Sequence, residues 1–177
     1  DKSDEIKKLM DEDARQDIDL ILSYDDDQIG SRMTTNFIAV KKNSTVRQAM
    51  KSLINQAAEN DNISTIYVVN DDDTFYGAVD LKDLIIARDY QDFETLISTS
   101  YPYVYAEEKT GECIEELKDY SEDSIPVLSN DNKILGVITA QDLVEAVDEE
   151  MGDDYAKLAG LTAEEDLNEP FKDSVKK

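Results

Sequence analysis

Carboxylates in residues 141–154 are the side chains of this sequence that best suit a specific chemistry. The segment holds seven acids in 14 residues and no base. On a helix that turns by about 100° per residue, four of the acids share one face: Asp142, Glu145, Glu149 and Asp153. Each like-charged pair three or four residues apart costs roughly 0.2–0.5 kcal/mol. A divalent cation bound between such groups would remove that cost.

Mg²⁺ fits these oxygen ligands best. It is a hard ion that keeps several waters and needs only one or two carboxylates, so a loose cluster such as Glu150, Asp153 and Asp154 suffices. Ca²⁺ requires a denser cage, and the sequence has no Asp-x-Asp-x-Asp-Gly loop. The alternative is an acidic helix face that is simply solvated. We assign the acids at 25–27 and 71–73 to a linker and a turn.

The absence of histidine removes several classes of chemistry. Without it the chain cannot build a Ser-His-Asp or Cys-His relay or a His-ligated zinc site. The single cysteine, Cys113, lies beside Ile114 and Leu117, which predicts a small core residue rather than a reactive thiol. No convergent acid–base pair is visible, so the sequence does not predict an enzyme.

The charge of the chain restricts its partners. With 42 acids and 18 bases, the formal net charge is −24. Such a chain repels phosphate backbones and anionic lipids, so we predict no nucleic-acid partner. No run approaches the roughly 18 apolar residues of a membrane-spanning helix. We therefore expect the chain as given to be soluble, and its start at Asp1 suggests an excerpt of a longer protein.

An internal repeat supplies the elements that position the acids. Gly77 matches Gly136 and Asp83 matches Asp142, both 59 residues apart. Each copy predicts the order β-α-β-β-α, which gives an α/β (α+β) fold. The predicted strands are 37–40, 65–70 and 75–79, then 101–105, 125–128 and 134–138; helices cover 49–57 and 113–117 and begin again near Leu81 and Ala140. A three-stranded unit exposes an apolar face, so the two copies should pack around a shared core.

Helical segments flank the repeat at both ends. Residues 4–22 carry an apolar stripe at helical spacing, and Asp11 or Asp13 could begin a second helix there. This stripe either packs on the repeat pair or is the remnant of a helical domain. After Gly160, residues 162–165 fit a capping box, which predicts further helix toward the C-terminus.

With these motifs in view, the repeat resembles a tandem CBS pair. The pattern Gly-x-[Ile/Val]-x-x-x-Asp-Leu occurs at residues 77–84 and 136–143. The flanks at 24–35 and 150–159 resemble the cytosolic region of MgtE-family magnesium transporters. The resemblance implies four parts: the tail of a helical N-terminal domain at 1–24, a first CBS repeat at 25–92, a second at 93–149, and at 150–177 an acidic helix leading to an absent transmembrane domain.

The resemblance also implies a function. In that family the cytosolic region is a homodimer that binds several Mg²⁺ ions and closes the pore when they are abundant. It would lie on the cytoplasmic side of the membrane and act on its own transmembrane domain. The implied metal ligands are Asp89, Asp142, Glu145, Glu150, Asp153 and Asp154. The family tends to have an acid followed by proline where this chain has Arg88-Asp-Tyr90, so only Asp89 could bind metal there.

Two other functions stay open from the sequence. CBS pairs often hold an adenine nucleotide (ATP or AMP) between repeats, and the second copy keeps Thr139 and Asp142 for phosphate and ribose. The first copy has Asp80 in the threonine position. The pair could also be a scaffold that only dimerises a neighbouring domain.

Overall fold

Two three-stranded sheets of the same topology form the centre of the molecule. The structure is a computed structural model that describes residues 2–117, 120–149 and 152. Its helices are α1 (Lys2–Leu22), α2 (Val46–Ala57), α3 (Leu81–Ile86), α4 (Thr110–Leu117) and α5 (140–149); its strands are β1 (Ile38–Lys41), β2 (Thr65–Val69), β3 (Phe75–Asp80), β4 (Val104–Tyr105), β5 (Ser124–Leu128) and β6 (Ile134–Thr139). The predicted β-α-β-β-α order of both copies is confirmed.

The two sheets repeat the same strand pairing. β1 lies parallel to β2, and β2 lies antiparallel to β3; β4, β5 and β6 pair in the same way. The hairpin turns match as well, because Asp73 and Asn132 both adopt positive φ angles, of 67° and 63°. Asp and Asn tolerate this left-handed conformation better than most residues. The acids at 71–73 therefore lie at a turn, as predicted.

A shared apolar layer joins the two repeats, as the sequence predicted. At its centre are Tyr67 and Ala78 of the first sheet and Val137 of the second, all buried. Phe37, Phe75, Tyr101 and Ile134 pack around them. The Tyr67 ring lies edge-on to the rings of Phe37 and Tyr101, with centroids 6.1 Å away in both cases. Aromatic edge-to-face packing of this kind favours one fixed arrangement of the repeats.

A short 3-10 helix packs into the core of each repeat, and in both cases that helix belongs in sequence to the other repeat. The helix Ile29–Arg32 precedes β1, yet Ile29 and Met33 lie in the core of the second repeat. The helix Phe93–Leu96 follows α3, and Phe93 lies in the core of the first repeat. If the chain is divided at residue 92, each part therefore contains a short helix that packs in the core of the other part.

The two motif glycines allow these connecting segments to approach the sheets. Gly77 and Gly136 lie beside two short bridges, in which Ser98 pairs with Ala78 and Thr34 pairs with Val137. A Cβ atom on Gly77 would lie 2.5 Å from the Ser98 carbonyl oxygen, and one on Gly136 would lie 2.6 Å from that of Thr34. Glycine is needed here because only hydrogen leaves room for the neighbouring backbone.

The N-terminal segment forms one uninterrupted helix, so the predicted break at Asp11 or Asp13 is wrong. Both acids lie inside α1 with exposed side chains. The helix tolerates the low helix propensity of aspartate at these positions, so neither residue has to cap a second helix. Among the described side chains of α1, Leu20 and Ile21 near its C-terminal end contact the core of the second repeat. Four other apolar side chains stay exposed: Ile6, Leu9, Ile18 and Leu22. The helix predicted after Gly160 lies outside the described residues.

Within the described residues, no helix is both long and apolar enough to span a membrane.

Candidate functional site

Asp142 begins α5 through two reciprocal hydrogen bonds with Thr139. The Thr139 backbone N–H donates to the Asp142 carboxylate over 3.1 Å, and the Asp142 backbone N–H donates to the Thr139 hydroxyl over 3.2 Å. Such an exchange satisfies backbone donors that a helix start leaves free. The predicted metal ligand Asp142 therefore already has a structural role, and its carboxylate is only half-buried.

Glu149 is paired with a base that the local sequence did not indicate. Arg32 Nη2 lies 2.5 Å from Glu149 Oε2, although the two residues are 117 positions apart. The hydrogen bond and charge of Arg32 lower the pKa of the Glu149 carboxyl. Residues 141–154 contain no base, and the base that pairs with Glu149 comes from a distant segment. Among the described residues, the Gln141 side-chain amide donates to the Glu145 carboxylate over 3.4 Å.

The donor set on this face suits a hard dication, but the described residues do not assemble a complete site. Asp142, Glu145 and Glu149 offer carboxylate oxygens only, which are the atoms that Mg²⁺ prefers. In the described part of the chain, no three acids come close enough together to hold a metal ion. Three predicted ligands, Glu150, Asp153 and Asp154, lie outside the described residues.

Asp89 lies apart from α5, in the loop that follows α3. Its carboxylate is exposed and lies 3.9 Å from Arg47 Nη2. Together they border a groove between α2 and α3 whose floor includes Met50 and Leu84. A contact between exposed groups at this distance contributes little to stability. The structure thus does not bring Asp89 together with Asp142 and Glu145.

A cleft between the repeats adjoins Thr139, one of the residues that the sequence analysis named as a candidate for nucleotide binding. It is open to solvent, has a volume of about 400 Å³ and is lined by Thr34, Asn36, Asp61, Asn62, Asp123, Thr139, Ala140 and Gln141. The Asn62 side-chain nitrogen is buried and has no hydrogen-bond partner among the described residues. A buried donor without a partner costs free energy that a ligand oxygen could recover. Sequence reasoning missed Asn62, because it lies in a polar loop without any motif.

The equivalent cleft in the first repeat is more acidic. It encloses about 350 Å³, and its lining includes four acids: Asp80, Asp83, Glu122 and Asp123. The polar side chains of Thr65, Ser98, Tyr101 and Ser121 complete its polar lining. Carboxylates at this density repel phosphate groups. Asp80 occupies the position that threonine has in the second repeat, and its charge makes this cleft poorly suited to a nucleotide.

The remaining chemistry-bearing residues have structural roles. Asp27 pairs with Lys109 at 2.5 Å, and that hydrogen bond lowers the pKa of the Asp27 carboxyl. Asp73 in the turn between β2 and β3 pairs with Lys41 at the end of β1, over 2.5 Å. Cys113 is buried in the second core, as predicted, and burial together with nearby Glu108 raises its pKa to about 12. A thiol of this kind is protonated and unreactive at neutral pH.

Comparison with curated proteins finds similarity to magnesium transporters. The chain is 32% identical over 157 residues to the magnesium transporter MgtE of Enterococcus faecalis, covering 89% of this chain and 35% of that protein. It is 26% identical over 156 residues to MgtE of Thermus thermophilus, covering 88% of this chain and 35% of that protein. The chain thus spans about a third of the length of these relatives.

Solved structures show the same architecture. The soluble part of a magnesium transporter superposes with a TM-score of 0.69 at 31% identity, covering 73% of this chain and 51% of that one. The cytosolic domain of the Mg²⁺ channel MgtE in complex with ATP gives a TM-score of 0.69 at 25% identity, covering 74% and 53%. The CBS domain family matches residues 27–90 and 92–149, one match for each repeat. This chain therefore belongs to the CBS-domain family, with two tandem copies of the domain.

Proposed function

We propose that this chain is the cytosolic magnesium-sensing region of a magnesium transporter or channel, and that it works as a homodimer on the cytoplasmic side of the membrane. One observation carries the proposal. The similarity to MgtE covers 157 residues and so extends beyond the CBS pair at 27–149 into its flanks. A CBS pair with another function would share the repeats but not these flanking segments. The matched family is not a family of enzymes, as the sequence predicted.

The proposed mechanism is electrostatic. With a formal charge of −24 per chain, two copies repel each other when their acidic faces approach. Mg²⁺ bound near residues 142–154 would neutralise carboxylates and favour a compact dimer, which would act on the transmembrane domain. An ion that prefers the compact state stabilises it by RT ln(1 + [Mg²⁺]/K). A site of millimolar affinity therefore switches in the millimolar range, and several sites steepen the response.

Thermal unfolding tests this proposal. MgCl₂ at a few millimolar should raise the Tm more than NaCl of matched ionic strength, because a bound ion stabilises beyond general screening. Asp153→Asn together with Asp154→Asn should remove most of that excess. The matched control is Asp11→Asn with Asp13→Asn, which changes the same charge on exposed positions of α1. Equal effects of the two salts on the unmodified chain would contradict specific binding.

Scattering in solution tests the compaction step. The radius of gyration of the dimer should fall when Mg²⁺ is added and should not fall in matched NaCl. Asp89→Asn provides an independent check of the predicted ligand outside α5, because it removes a carboxylate without touching the 142–154 segment. An unchanged radius with Mg²⁺ would favour the scaffold function.

Adenine-nucleotide binding is the second candidate, and the cleft beside Thr139 favours it. This cleft holds the unpartnered Asn62 nitrogen, and a similar cytosolic domain has been solved with ATP. Because Asp61 and Asp123 also line the cleft, ATP should bind better with Mg²⁺ than without it. Calorimetry with ATP and AMP tests the idea, with Asn62→Ala expected to weaken binding and the exposed Asn55→Ala expected to leave it unchanged. No heat at millimolar nucleotide would remove this candidate.

A further inference from the structure

The ion pair between Arg32 and Glu149 has no role in the function proposed above. It joins the 3-10 helix at the start of the repeat pair to the last described helix. The Arg32 side chain is 26% exposed and that of Glu149 is 63% exposed, so the guanidinium reaches Glu149 from a mostly buried position. Arg32 Nε is buried and has no hydrogen-bond partner among the described residues, whereas Nη2 of the same guanidinium contacts Glu149.

Backbone contacts fix the position of Arg32. The Ile29 N–H donates to the Glu108 carbonyl over 2.8 Å, and the Gly30 N–H donates to the Ala106 carbonyl over 2.9 Å. Ile29 is fully buried in the core of the second repeat. Arg32 is therefore attached to that core by a short and well-anchored turn.

The same core also fixes the position of Glu149. Ala146 of α5 is 1% exposed, and Leu143 packs against the second core. Because both backbones are attached to the same core, the ion pair forms without a rearrangement of the backbone, and its entropic cost is confined to the two side chains.

Arg32 places a positive charge on the face where the proposed function needs Mg²⁺. Glu149 belongs to the same helix face as Asp142 and Glu145. The guanidinium of Arg32, paired with Glu149, already relieves part of the repulsion among these carboxylates. A dication that approaches Glu149 must either displace this guanidinium or bind without that carboxylate. In both cases Arg32 weakens the attraction of the face for Mg²⁺.

We propose that Arg32 is a tethered cation that competes with Mg²⁺ for the acidic face of α5 and raises the Mg²⁺ concentration at which the region responds. This inference rests on the proposed function, since it assigns a regulator to the same acidic segment. It goes further in assigning a residue outside that segment, from the start of the repeat pair, to set the sensitivity.

The test compares Arg32→Gln with the unmodified chain in Mg²⁺ titrations followed by thermal shift, with NaCl of matched ionic strength as reference. The half-saturating Mg²⁺ concentration should fall about two- to five-fold, the range expected when one partly exposed ion pair no longer competes. Arg15→Gln is the control, because it removes the same charge from an exposed position on α1. Arg32→Met, which keeps an aliphatic stem, gives the same readout if Arg32→Gln does not fold.

The outcomes separate this inference from the proposed function. A half-saturating concentration that does not fall in Arg32→Gln overturns the competition, even if the unmodified chain responds to Mg²⁺. An equal fall in Arg15→Gln also overturns it, because the effect would then follow net charge alone. A specific Mg²⁺ response that occurs in Arg32→Gln but not in the unmodified chain supports the competition and contradicts the proposed sensing function.

Discussion

Tyr67 in β2 and Ser124 in β5 hydrogen-bond through their side-chain hydroxyls inside the layer that joins the two repeats. Both residues are 0% exposed. Tyr101 extends the network, because its hydroxyl donates to the Ser124 carbonyl over 2.6 Å. Burial raises the pKa of Tyr101 to about 12 and also raises that of Tyr67, so both phenols keep their protons at neutral pH. A polar link thus crosses an otherwise apolar layer.

Tyr67→Phe should lower the free energy of unfolding by about 1–3 kcal/mol, because it leaves the buried Ser124 hydroxyl without its tyrosine partner. Urea unfolding measures the change. Ser124→Ala should cost a similar amount, and the double variant should cost less than the sum of the two, since both polar groups are then gone. Additive losses would show that the two hydroxyls do not act as a pair.

Gly77→Ala and Gly136→Ala should each destabilise the protein by about 1–3 kcal/mol, since a Cβ atom would press against a neighbouring carbonyl oxygen. Gly152→Ala is the control. Within the described part of the chain, nothing lies within 4 Å of a Cβ atom at Gly152, and its backbone is helical. Alanine there should stabilise by up to about 1 kcal/mol. Wild-type stability of Gly77→Ala in urea would contradict the close approach of Ser98.

Acid should weaken the fold through Asp27 and Glu149. Their partners Lys109 and Arg32 lower both carboxyl pKa values in the folded state. Each ion pair therefore contributes fully above the unfolded-state pKa values of about 4, and the contribution is lost as the pH falls through the lower folded values. Thermal unfolding between pH 7 and pH 3 should show this loss. Asp27→Asn and Lys109→Met should flatten the curve alike, whereas a steeper curve in either variant would contradict the assignment.

Cys113 should react with a thiol reagent only after the protein opens. A pKa of about 12 leaves roughly 10³-fold less thiolate near pH 8 than an ordinary cysteine near 8.5 has. Labelling followed by absorbance should be slow in buffer and fast in concentrated urea. Ser23→Cys, placed on an exposed position after α1, offers a labelling control within the same chain. Equal rates at the two positions would mean that Cys113 is accessible.

Local patterns predicted most of the fold. The strands and turns of both hairpins follow from short apolar runs around Asn- and Asp-rich tips, a pattern that depends only on neighbours in sequence. The repeat made the prediction stronger, because Gly77 and Gly136 occupy equivalent positions in the two copies and have similar surroundings. In α1 the local signal failed, since Asp11 and Asp13 can begin a helix but are also tolerated within one.

Long-range features could not be predicted in this way. The pairing of Arg32 with Glu149 joins residues 117 positions apart, and nothing in either segment indicates its partner. The unpartnered Asn62 nitrogen is visible only when neighbouring loops are placed around it. The candidate ligands on α5 were identified because spacing on a helix is a local property. The pairing of Glu149, on the same helix face, with the distant base Arg32 is a long-range property.

The exchanged 3-10 helices make the two halves of the CBS pair depend on each other for their interiors. Ile29 and Met33 fill the second half, whereas Phe93 fills the first. A chain divided at residue 92 would give two fragments. Each fragment would lack a side chain that fills its core and would expose an apolar segment that normally packs in the other half. Both halves should therefore melt in one cooperative transition, and a disturbance that loosens either one is transmitted to the other.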